Sequence, residues 1–487
     1  MGMFYLLTLY GFIRLAEEKG GAALWGAVAF AACLCGMGTK EVMVTAPVIV
    51  LLYDRIFVGG SFGEAWRRRK AFHLALASCW LPLAYLALHT GGRAGTAGFG
   101  SGVLWSAYFL TQLKAVALYL RLAFWPHPLV GDYGRILAAS PMDVAGAGLL
   151  VACLAAATCL LLRRRPAIGF LGAWFFIVLA PSSSFIPIST EIVAEHRMYL
   201  PLAAVVALAV LALHAVLGRL RLFAAAAGVL ALALGILTLD RARVYEGPSS
   251  FWGDVALKVP GNAGAWNNLG AIQAETGDQT GAIKHYRRAL ALAPAFASAH
   301  FNLGNSLEAT GHPQEAAQHY EEALRFRPED PAIHRRLAYA LALEKRGYAA
   351  AAEYREAIRI EPGSAEAWAG LGAAMVQVGN LPEAANAYSQ AVRLRPDQAD
   401  VRVDYGDVLA QLGRVAEGIR EYRQALRLKP GAADVHNNLG GLLAESGKLA
   451  EARAEFEEAL RLKPDYVDAR DNLGRVRALE SKSGIRP

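Results

Sequence analysis

The chain contains 487 residues, of which 55% are hydrophobic and 19% charged, and its formal net charge is +7. Apolar residues are concentrated in 1–239, whereas 263–480 has a mixed polar composition, which indicates a membrane half followed by a soluble half. The basic clusters at 67–70, 163–165 and 219–221 lie between apolar segments, where positive charge orients a membrane protein and does not favour nucleic-acid binding. All five cysteines lie in the apolar half, so the sequence predicts neither a disulfide framework nor a metal site.

Apolar segments of membrane-spanning length follow one another through the first half of the chain. A spanning helix needs about 20 apolar residues. The candidate spans are 1–15, 22–38, 42–58, 71–90, 144–162, 167–181, 198–217 and 222–239. We therefore predict a polytopic helical membrane domain of about eight spans over residues 1–239.

One further apolar segment, 103–125, carries side chains that disfavour insertion. It contains Gln112, Lys114 and Arg121, and a lysine or arginine at the centre of a spanning helix costs about 2.5–3.5 kcal/mol. If this segment instead lies along the outer surface, and 67–70 is cytoplasmic, all three basic clusters face the cytoplasm. We therefore predict an interfacial or re-entrant amphipathic helix.

This arrangement predicts which segments face outward. The outward segments are the loops 91–102, 126–143 and 182–197 and everything after residue 240. The prediction is thus a multi-pass protein of the bacterial inner membrane with its soluble half in the periplasm. Because the first apolar segment would begin on the outer side, we expect further helices upstream of Met1.

The sequence EIVAEHRMYLP, at 191–201, places charged side chains directly against a predicted spanning helix. Polar groups clustered on one side of a membrane indicate a functional site. The alternative interpretation is that they cap the helix and anchor it among the lipid headgroups. The polar residues of this segment, and the outward ones that could converge with them, are Glu195, His196, Arg197, Tyr199, Lys40, Glu41, Lys114, Arg121, His127 and Asp132.

The second half is periodic. Its prolines, always 34 residues apart, are Pro260, Pro294, Pro328, Pro362, Pro396, Pro430 and Pro464. A second position at the same spacing is occupied by Trp266, His300, His334, Trp368, Arg402, His436 and Arg470. This is the tetratricopeptide period. We predict six repeats over 263–466, preceded by a linker and half-repeat cap at 240–262 and followed by a capping helix and tail at 467–487.

The asparagine of the NLG triplets recurs at one position of the first helix of each repeat. These asparagines are Asn268, Asn302, Asn438 and Asn472, and repeats three to five carry Arg336, Gly370 and Asp404 instead. The repeats resemble the peptide-binding superhelices of the O-GlcNAc transferase type, in which an asparagine ladder on the concave face holds peptide backbone. The resemblance implies a bound polypeptide. The alternative is that these are solvated residues of a generic repeat.

Three stretches of the first half, 38–54, 81–133 and 181–201, resemble the membrane region of the TMTC family, the transmembrane and tetratricopeptide-repeat containing proteins. The resemblance implies a glycosyltransferase of the GT-C type. Such enzymes transfer a sugar from a polyprenyl-phosphate donor at the outer leaflet to a hydroxyl of an acceptor, commonly a protein. They depend on an acidic residue in the first external loop, which is not present in this sequence.

The resemblance also implies roles for the outward residues. Arg197 would hold donor phosphate, His196 would donate to phosphate or move a proton, and Glu195 would orient Arg197 or bind a metal or sugar hydroxyl. Tyr199 would stack on sugar or prenyl. The sequence identifies no catalytic residue, no certain cofactor and no divalent metal. The expected partners are membrane lipid, the lipid-linked sugar and a polypeptide, without nucleic acid.

The predicted fold class is all-α, with a polytopic helical membrane domain followed by a tetratricopeptide-repeat α-solenoid. Two functions remain open from the sequence. One is a membrane glycosyltransferase whose repeats recruit the acceptor. The other is a non-catalytic, membrane-anchored repeat scaffold for protein–protein interaction in the cell envelope.

Overall fold

The computed structural model describes residues 1–17, 21–89, 105–125, 128–133, 140–181, 195–217 and 220–482. The described residues fold as α-helices joined by turns, which confirms the predicted all-α class. The chain divides into two compact units, Met1–Leu269 and Gly270–Pro487.

The helices of the first unit follow the predicted apolar segments closely. They are α1 (Gly2–Ala16), α2 (Ala22–Met37), α3 (Ala46–Tyr53), α4 (Phe62–Ser78), α5 (Trp80–His89), α6 (Trp105–Phe124), α7 (Ala145–Arg164), α8 (Pro166–Ala180), α9 (Tyr199–Leu217), α10 (Leu220–Val244) and α11 (Pro248–Lys258). Short 3-10 turns precede three of them, at Glu41–Thr45, Pro141–Val144 and Glu195–Met198.

Among the described residues, three helices are long and apolar enough to cross a membrane. They are Pro141–Arg164, Tyr199–Leu217 and Ala224–Val244. Three shorter apolar helices are Gly2–Ala16, Ala22–Met37 and Pro166–Ala180. The total of about eight membrane spans therefore stays a prediction.

The predicted span at 71–90 is wrong as a single helix. Helix α4 begins nine residues earlier, at Phe62, and is kinked at Arg69, whose backbone is not helical; a turn at Cys79 separates α4 from α5. The Ser61 hydroxyl accepts a hydrogen bond from the Glu64 amide at 3.2 Å, which caps the helix start. The Arg69 guanidinium donates to the buried Asp54 carboxylate at 2.9 Å. The basic cluster at 67–70 thus lies at a kink of α4, where Arg69 is held by Asp54.

Helix α6 is amphipathic, as the sequence predicts. Tyr108, Ala115 and Tyr119 are buried and follow the helical spacing of one face. Lys114 and Arg121 are exposed. The two charges therefore lie on the side of α6 opposite its buried face.

The second unit is built from helical hairpins of constant size. From α12 onward every first helix has 13 residues and every second helix 14. The helices are α12 (Ala263–Glu275), α13 (Gln279–Leu292), α14 (Ala297–Ala309), α15 (Pro313–Phe326), α16 (Pro331–Leu343), α17 (Gly347–Ile360), α18 (Ala365–Gln377), α19 (Leu381–Leu394), α20 (Ala399–Gln411), α21 (Val415–Leu428), α22 (Ala433–Glu445), α23 (Leu449–Leu462) and the capping helix α24 (Val467–Lys482).

Each second helix ends just before the periodic proline, as in α13, which ends at Leu292 before Pro294. The residue before a proline disfavours the helical conformation, so the proline sets this boundary. The proline carbonyl then accepts a hydrogen bond from the recurring tryptophan, histidine or arginine six residues later. Trp368 Nε1 donates to Pro362 O at 3.1 Å, and Arg402 Nε donates to Pro396 O at 2.9 Å. The position accepts these three residue types because each carries an N–H on a long planar side chain.

Candidate functional site

The recurring asparagines of the first helices contact neighbouring polar side chains. Asn438 Nδ2 lies 3.4 Å from the Asp407 carboxylate, and Asn472 Nδ2 donates to Asn437 Oδ1 at 3.1 Å. Asn268 Oδ1 lies 3.4 Å from Asn267 Nδ2. Asn302 is half-buried at the same register of α14. The amides thus have lateral partners that a bound peptide backbone would have to displace.

A groove opens where the asparagine ladder is interrupted. It has a volume of about 370 Å³. The residues that line it come from the second, third and fourth repeats and are Phe301, Ala332, Arg335, Arg336, Tyr339, Tyr354 and Glu366. Six of the seven lie on the first helices α14, α16 and α18, the same helices that carry the predicted ladder. We call this the repeat 2–4 groove.

The arginines of the repeat 2–4 groove are held by carboxylates of the array. Arg335 Nη1 donates to Glu361 at 2.9 Å, and Arg336 Nη1 donates to Glu308 at 3.1 Å. Arg336 occupies the ladder position of the third repeat, and its side chain is about half exposed. The guanidinium planes are therefore fixed at the groove while their charge is largely balanced.

The aromatic residues of this groove, Phe301, Tyr339 and Tyr354, are absent from the set of sites predicted from the sequence. Tyr339 is 46% exposed, whereas Tyr354 is buried apart from the edge that it presents to the groove. Burial raises the pKa of Tyr354 to about 12, so its hydroxyl stays protonated as a donor at neutral pH. The available signal was the third repeat itself, where Ala338 replaces the usual glycine and Gly370 follows in the ladder position.

An acidic stretch follows further along the array. Asp404 takes the ladder position of the fifth repeat, and Asp407 lies one turn later on α20. Loss of solvation, followed by repulsion from Asp407 and Asp400, raises the pKa of Asp404. Loss of solvation also raises the pKa of Asp407, which accepts hydrogen bonds from two neutral groups, the Tyr422 hydroxyl and the Asn438 amide. The Asp407 carboxylate thus has neutral donors, and a cation beside either carboxylate would stabilise its charged form further.

The candidate residues of the first unit are placed as follows. Lys40 is half-buried directly before the turn Glu41–Thr45, Arg121 is exposed on α6, and Tyr199 is 77% exposed at the start of α9. Arg197 is only 7% exposed. His127 and the side chains of Glu41, Glu195 and His196 lie outside the described residues.

Asp132 belongs to a short segment that packs against α11 and the start of α12. The Asp132 carbonyl accepts from Asn262 Nδ2 at 3.1 Å, and the Leu129 carbonyl accepts from Lys258 Nζ at 2.9 Å. Val130 is 4% exposed in a small core with Val255. In the part of the chain that the structure describes, no three histidine, cysteine, aspartate or glutamate residues come together as a metal site.

Comparison with known proteins identifies the repeats. Residues 270–311 match the family described as TPR repeat, and residues 297–484 match the family described as cilia and flagella-associated protein 70 C-terminal domain. The second half therefore consists of tetratricopeptide repeats, which are suited to protein–protein interaction. Both matches lie in the second half of the chain, and no curated protein matches the chain.

Similar solved structures are also repeat proteins. YrrB, described as a TPR protein with an unusual peptide-binding site, is 20% identical over 38% of this chain and 95% of that chain, with a TM-score of 0.35. PilF of Pseudomonas aeruginosa is 20% identical over 44% and 97%, with a TM-score of 0.39. A thermophilic TPR protein of Thermus thermophilus is 24% identical over 37% and 99%, with a TM-score of 0.29.

Proposed function

We propose that this protein is a membrane-anchored scaffold whose tetratricopeptide repeats bind an extended polypeptide in the repeat 2–4 groove. The observation that carries the proposal is the groove itself, which concentrates three aromatic side chains and two arginines beside the ladder. Tyrosine and arginine are the residues that most often dominate binding energy at protein interfaces. Their clustering favours a binding surface over a merely solvated face.

The anchoring part of the proposal is supported by apolar surface. No residue of the most apolar window in Ala224–Val244 is buried inside the protein. Val229, Leu232 and Leu239 are each about 70% exposed. Removing apolar surface from water contributes about 25 cal/mol per Å², so lipid around this helix would stabilise it strongly.

The periplasmic location of the repeats is supported by the segment around Asp132. Because residues 129–132 contact Lys258 and Asn262, this segment and the start of the repeats would lie on one side of a membrane. That side is the one opposite the basic clusters at 67–70 and 163–165, since positive charge favours the cytoplasm. We propose the bacterial inner membrane, with the repeats in the periplasm.

The scaffold proposal is tested by selecting peptides from a random linear library on the full chain in lipid nanodiscs. The wild-type chain is expected to enrich peptides, and Arg336→Glu to lose them, because the substitution places a second carboxylate beside Glu308 in the groove. Arg325→Glu is the matched control, since Arg325 is 71% exposed on α15 and also pairs with a glutamate. No enrichment by the wild-type chain, or equal loss in both variants, would contradict the proposal.

A second candidate function is the polyprenyl-phosphate-dependent glycosyltransferase that the first half resembles. The observation that favours it is Arg197, an arginine 7% exposed at the start of an apolar helix, two residues before the exposed Tyr199. Buried arginine at a membrane surface suits phosphate binding. In membranes that contain lipid-linked sugar, Arg197→Ala is expected to abolish sugar transfer to a protein hydroxyl. Transfer at the wild-type rate would reject this role for Arg197.

A further inference from the structure

One repeat departs from the packing that the others share. In the other hairpins the aromatic of the second helix lies against the glycine of its own first helix, as Tyr320 lies against Gly304 and Tyr388 against Gly372. A Cβ on either glycine would come within 2.5–2.9 Å of the ring. The ring thus packs directly on the backbone of its own first helix at this glycine.

The third repeat carries Ala338 in place of that glycine, and this alanine is fully buried. A Cβ on Gly370, in the ladder position of the fourth repeat, would overlap the Tyr354 ring and approach its hydroxyl. The ring therefore leaves no room for an asparagine side chain at Gly370, where the ladder is interrupted.

The Tyr354 ring is part of an aromatic pocket. Tyr354 reaches the wall of the repeat 2–4 groove, where Phe301 and Tyr339 also lie. The charges of Arg335 and Arg336 are balanced by Glu361 and Glu308, so the guanidinium groups offer planar stacking surfaces more than an anion site. A pocket of rings and guanidinium planes is complementary to a flat, polarisable side chain.

Negatively charged residues follow this pocket along the array. The ladder register continues from Arg336 through Gly370 to Asp404, and Asp407 follows Asp404 by one turn. Asp404 is exposed and Asp407 is half-buried on α20, and the donors to Asp407 are the neutral Tyr422 and Asn438 side chains, so a basic side chain can reach this stretch. A basic side chain brought to this stretch would gain a charge-assisted hydrogen bond.

We infer that the array recognises an extended polypeptide segment in which an aromatic side chain enters the pocket formed by Phe301, Tyr339 and Tyr354 and a basic stretch lies along Asp404 and Asp407. This inference rests on the proposed function, since it names the chemistry of the polypeptide that the scaffold binds. The aromatic residue supplies most of the binding energy, and the basic stretch determines which polypeptides bind.

The experiment uses the full chain in nanodiscs and three labelled synthetic peptides of equal length. The first combines one phenylalanine with a run of lysines, the second replaces phenylalanine by alanine, and the third replaces the lysines by glutamates. Each replacement is expected to weaken binding at least about tenfold, which corresponds to about 1.4 kcal/mol. The effect of charge is expected to shrink as salt is added, because exposed charges are screened.

Matched variants locate the two contacts. Tyr339→Ala is expected to weaken the phenylalanine peptide and to leave the alanine peptide unchanged, whereas Tyr348→Ala, at a tyrosine 74% exposed on α17, leaves both unchanged. Asp404→Asn is expected to weaken the lysine peptide, whereas Asp397→Asn, at an exposed aspartate between α19 and α20, does not.

The outcomes separate the inference from the proposed function. If library peptides bind and are lost in Arg336→Glu, yet neither the aromatic residue nor the lysines matter, the inference is wrong and the scaffold stands. Tighter binding of the glutamate peptide than of the lysine peptide would also overturn the inference, and it would leave the proposed scaffold function intact. If the library yields no peptide, the proposed function fails with it.

Discussion

Single residues set the stability of this array wherever one repeat departs from the others. The turn between the two helices of a repeat takes a left-handed backbone conformation, which Gly277, Gly311, Gly379, Gly413 and Gly447 adopt. Lys345 takes the same place in the third repeat, with a φ of 62°. A side chain in this conformation costs roughly 1–2 kcal/mol, which glycine avoids.

Replacing Lys345 by glycine is expected to stabilise the third repeat by about 0.5–1 kcal/mol, less than the full strain because glycine has more freedom to lose on folding. Hydrogen exchange of the amides in α16 and α17 measures this change in the intact chain. Gly379→Lys is the reverse substitution at the same turn position of the fourth repeat, and it is expected to destabilise that repeat. Lys345→Ala keeps the Cβ and is expected to give no gain. A gain with alanine as large as with glycine would show that the backbone conformation is not the cause.

A second residue-scale prediction concerns pH. His334 Nδ1 lies 2.7 Å from Glu353, and this hydrogen bond raises the pKa of His334. In the second repeat the same position pairs two histidines, with His300 Nδ1 3.1 Å from His319 Nδ1. Loss of solvation, followed by repulsion from His300, lowers the pKa of His319. The His334 pair therefore contributes stability below the unfolded pKa of about 6.5 and loses it as pH rises, whereas the His319 contribution is present above that pH and is lost as pH falls.

His319→Glu converts the second repeat to the pairing of the third. The free energy of unfolding of α14 and α15, relative to wild type, is expected to increase by about 1 kcal/mol as pH falls from about 7.5 to about 5.5. Hydrogen exchange at the two pH values measures it. Gln318→Glu adds the same charge at an exposed neighbouring position and serves as the control. An equal pH response in the two variants would mean that net charge, and not the histidine pair, is responsible.

At the scale of helices, the packing of one hairpin depends on the next. Helix α17 places Tyr354 against Gly370 of α18, and the first helix of the same repeat, α16, carries the buried Ala338 where the other repeats have glycine. Two substitutions in different repeats, Ala338 and Gly370, are therefore linked through one ring. Neighbouring repeats stabilise each other through such interfaces, so the effect of changing one residue depends on the other.

This linkage predicts a coupled pair of mutations. Gly370→Asn alone is expected to destabilise α17 and α18 by about 1–3 kcal/mol, because the new side chain overlaps the Tyr354 ring. Ala338→Gly alone is expected to cost about 1 kcal/mol through lower helix propensity. The double variant is expected to be more stable than the sum of the two effects, since Tyr354 can then return to its own repeat. Local hydrogen exchange measures all three, and strict additivity would refute the linkage.

At the scale of the whole molecule, the proposed topology places particular segments on the same side of a membrane. The segment 129–132 packs on residues 255–262, and a Cβ on Gly131 would overlap the Phe251 ring. Such close contact at a glycine indicates a fixed association between the loop and α11. The basic end of α7 lies at Arg163 and Arg164, with exposed side chains that suit the opposite, cytoplasmic side.

Cysteine labelling tests this arrangement in a chain from which the native cysteines have been removed. A membrane-impermeant maleimide added to intact spheroplasts is expected to label a cysteine at Arg325 and to leave one at Arg164 unlabelled until the membrane is opened. Labelling of Arg164→Cys and protection of Arg325→Cys would reverse the proposed topology. Equal labelling of both in intact cells would argue against membrane insertion of α7.

The sequence by itself determined the features that repeat or that depend on nearby residues. The spacing of 34 residues gave the repeats, their helix boundaries and the ladder register, because proline, small residues and aromatics act within one hairpin. Apolar length gave most helices of the first half. The sequence also showed the acidic and basic residues that replace asparagine in the ladder, but it did not show which residues they contact.

Only the tertiary structure decided which side chains meet across repeats or across the first unit. The aromatic pocket depends on where the Tyr354 ring packs, the neutralisation of Arg336 depends on Glu308 of the preceding repeat, and the place of Arg69 at the kink of α4 depends on Asp54. Each of these contacts joins residues far apart in the chain, and packing without voids selects among alternatives that composition and spacing leave equal.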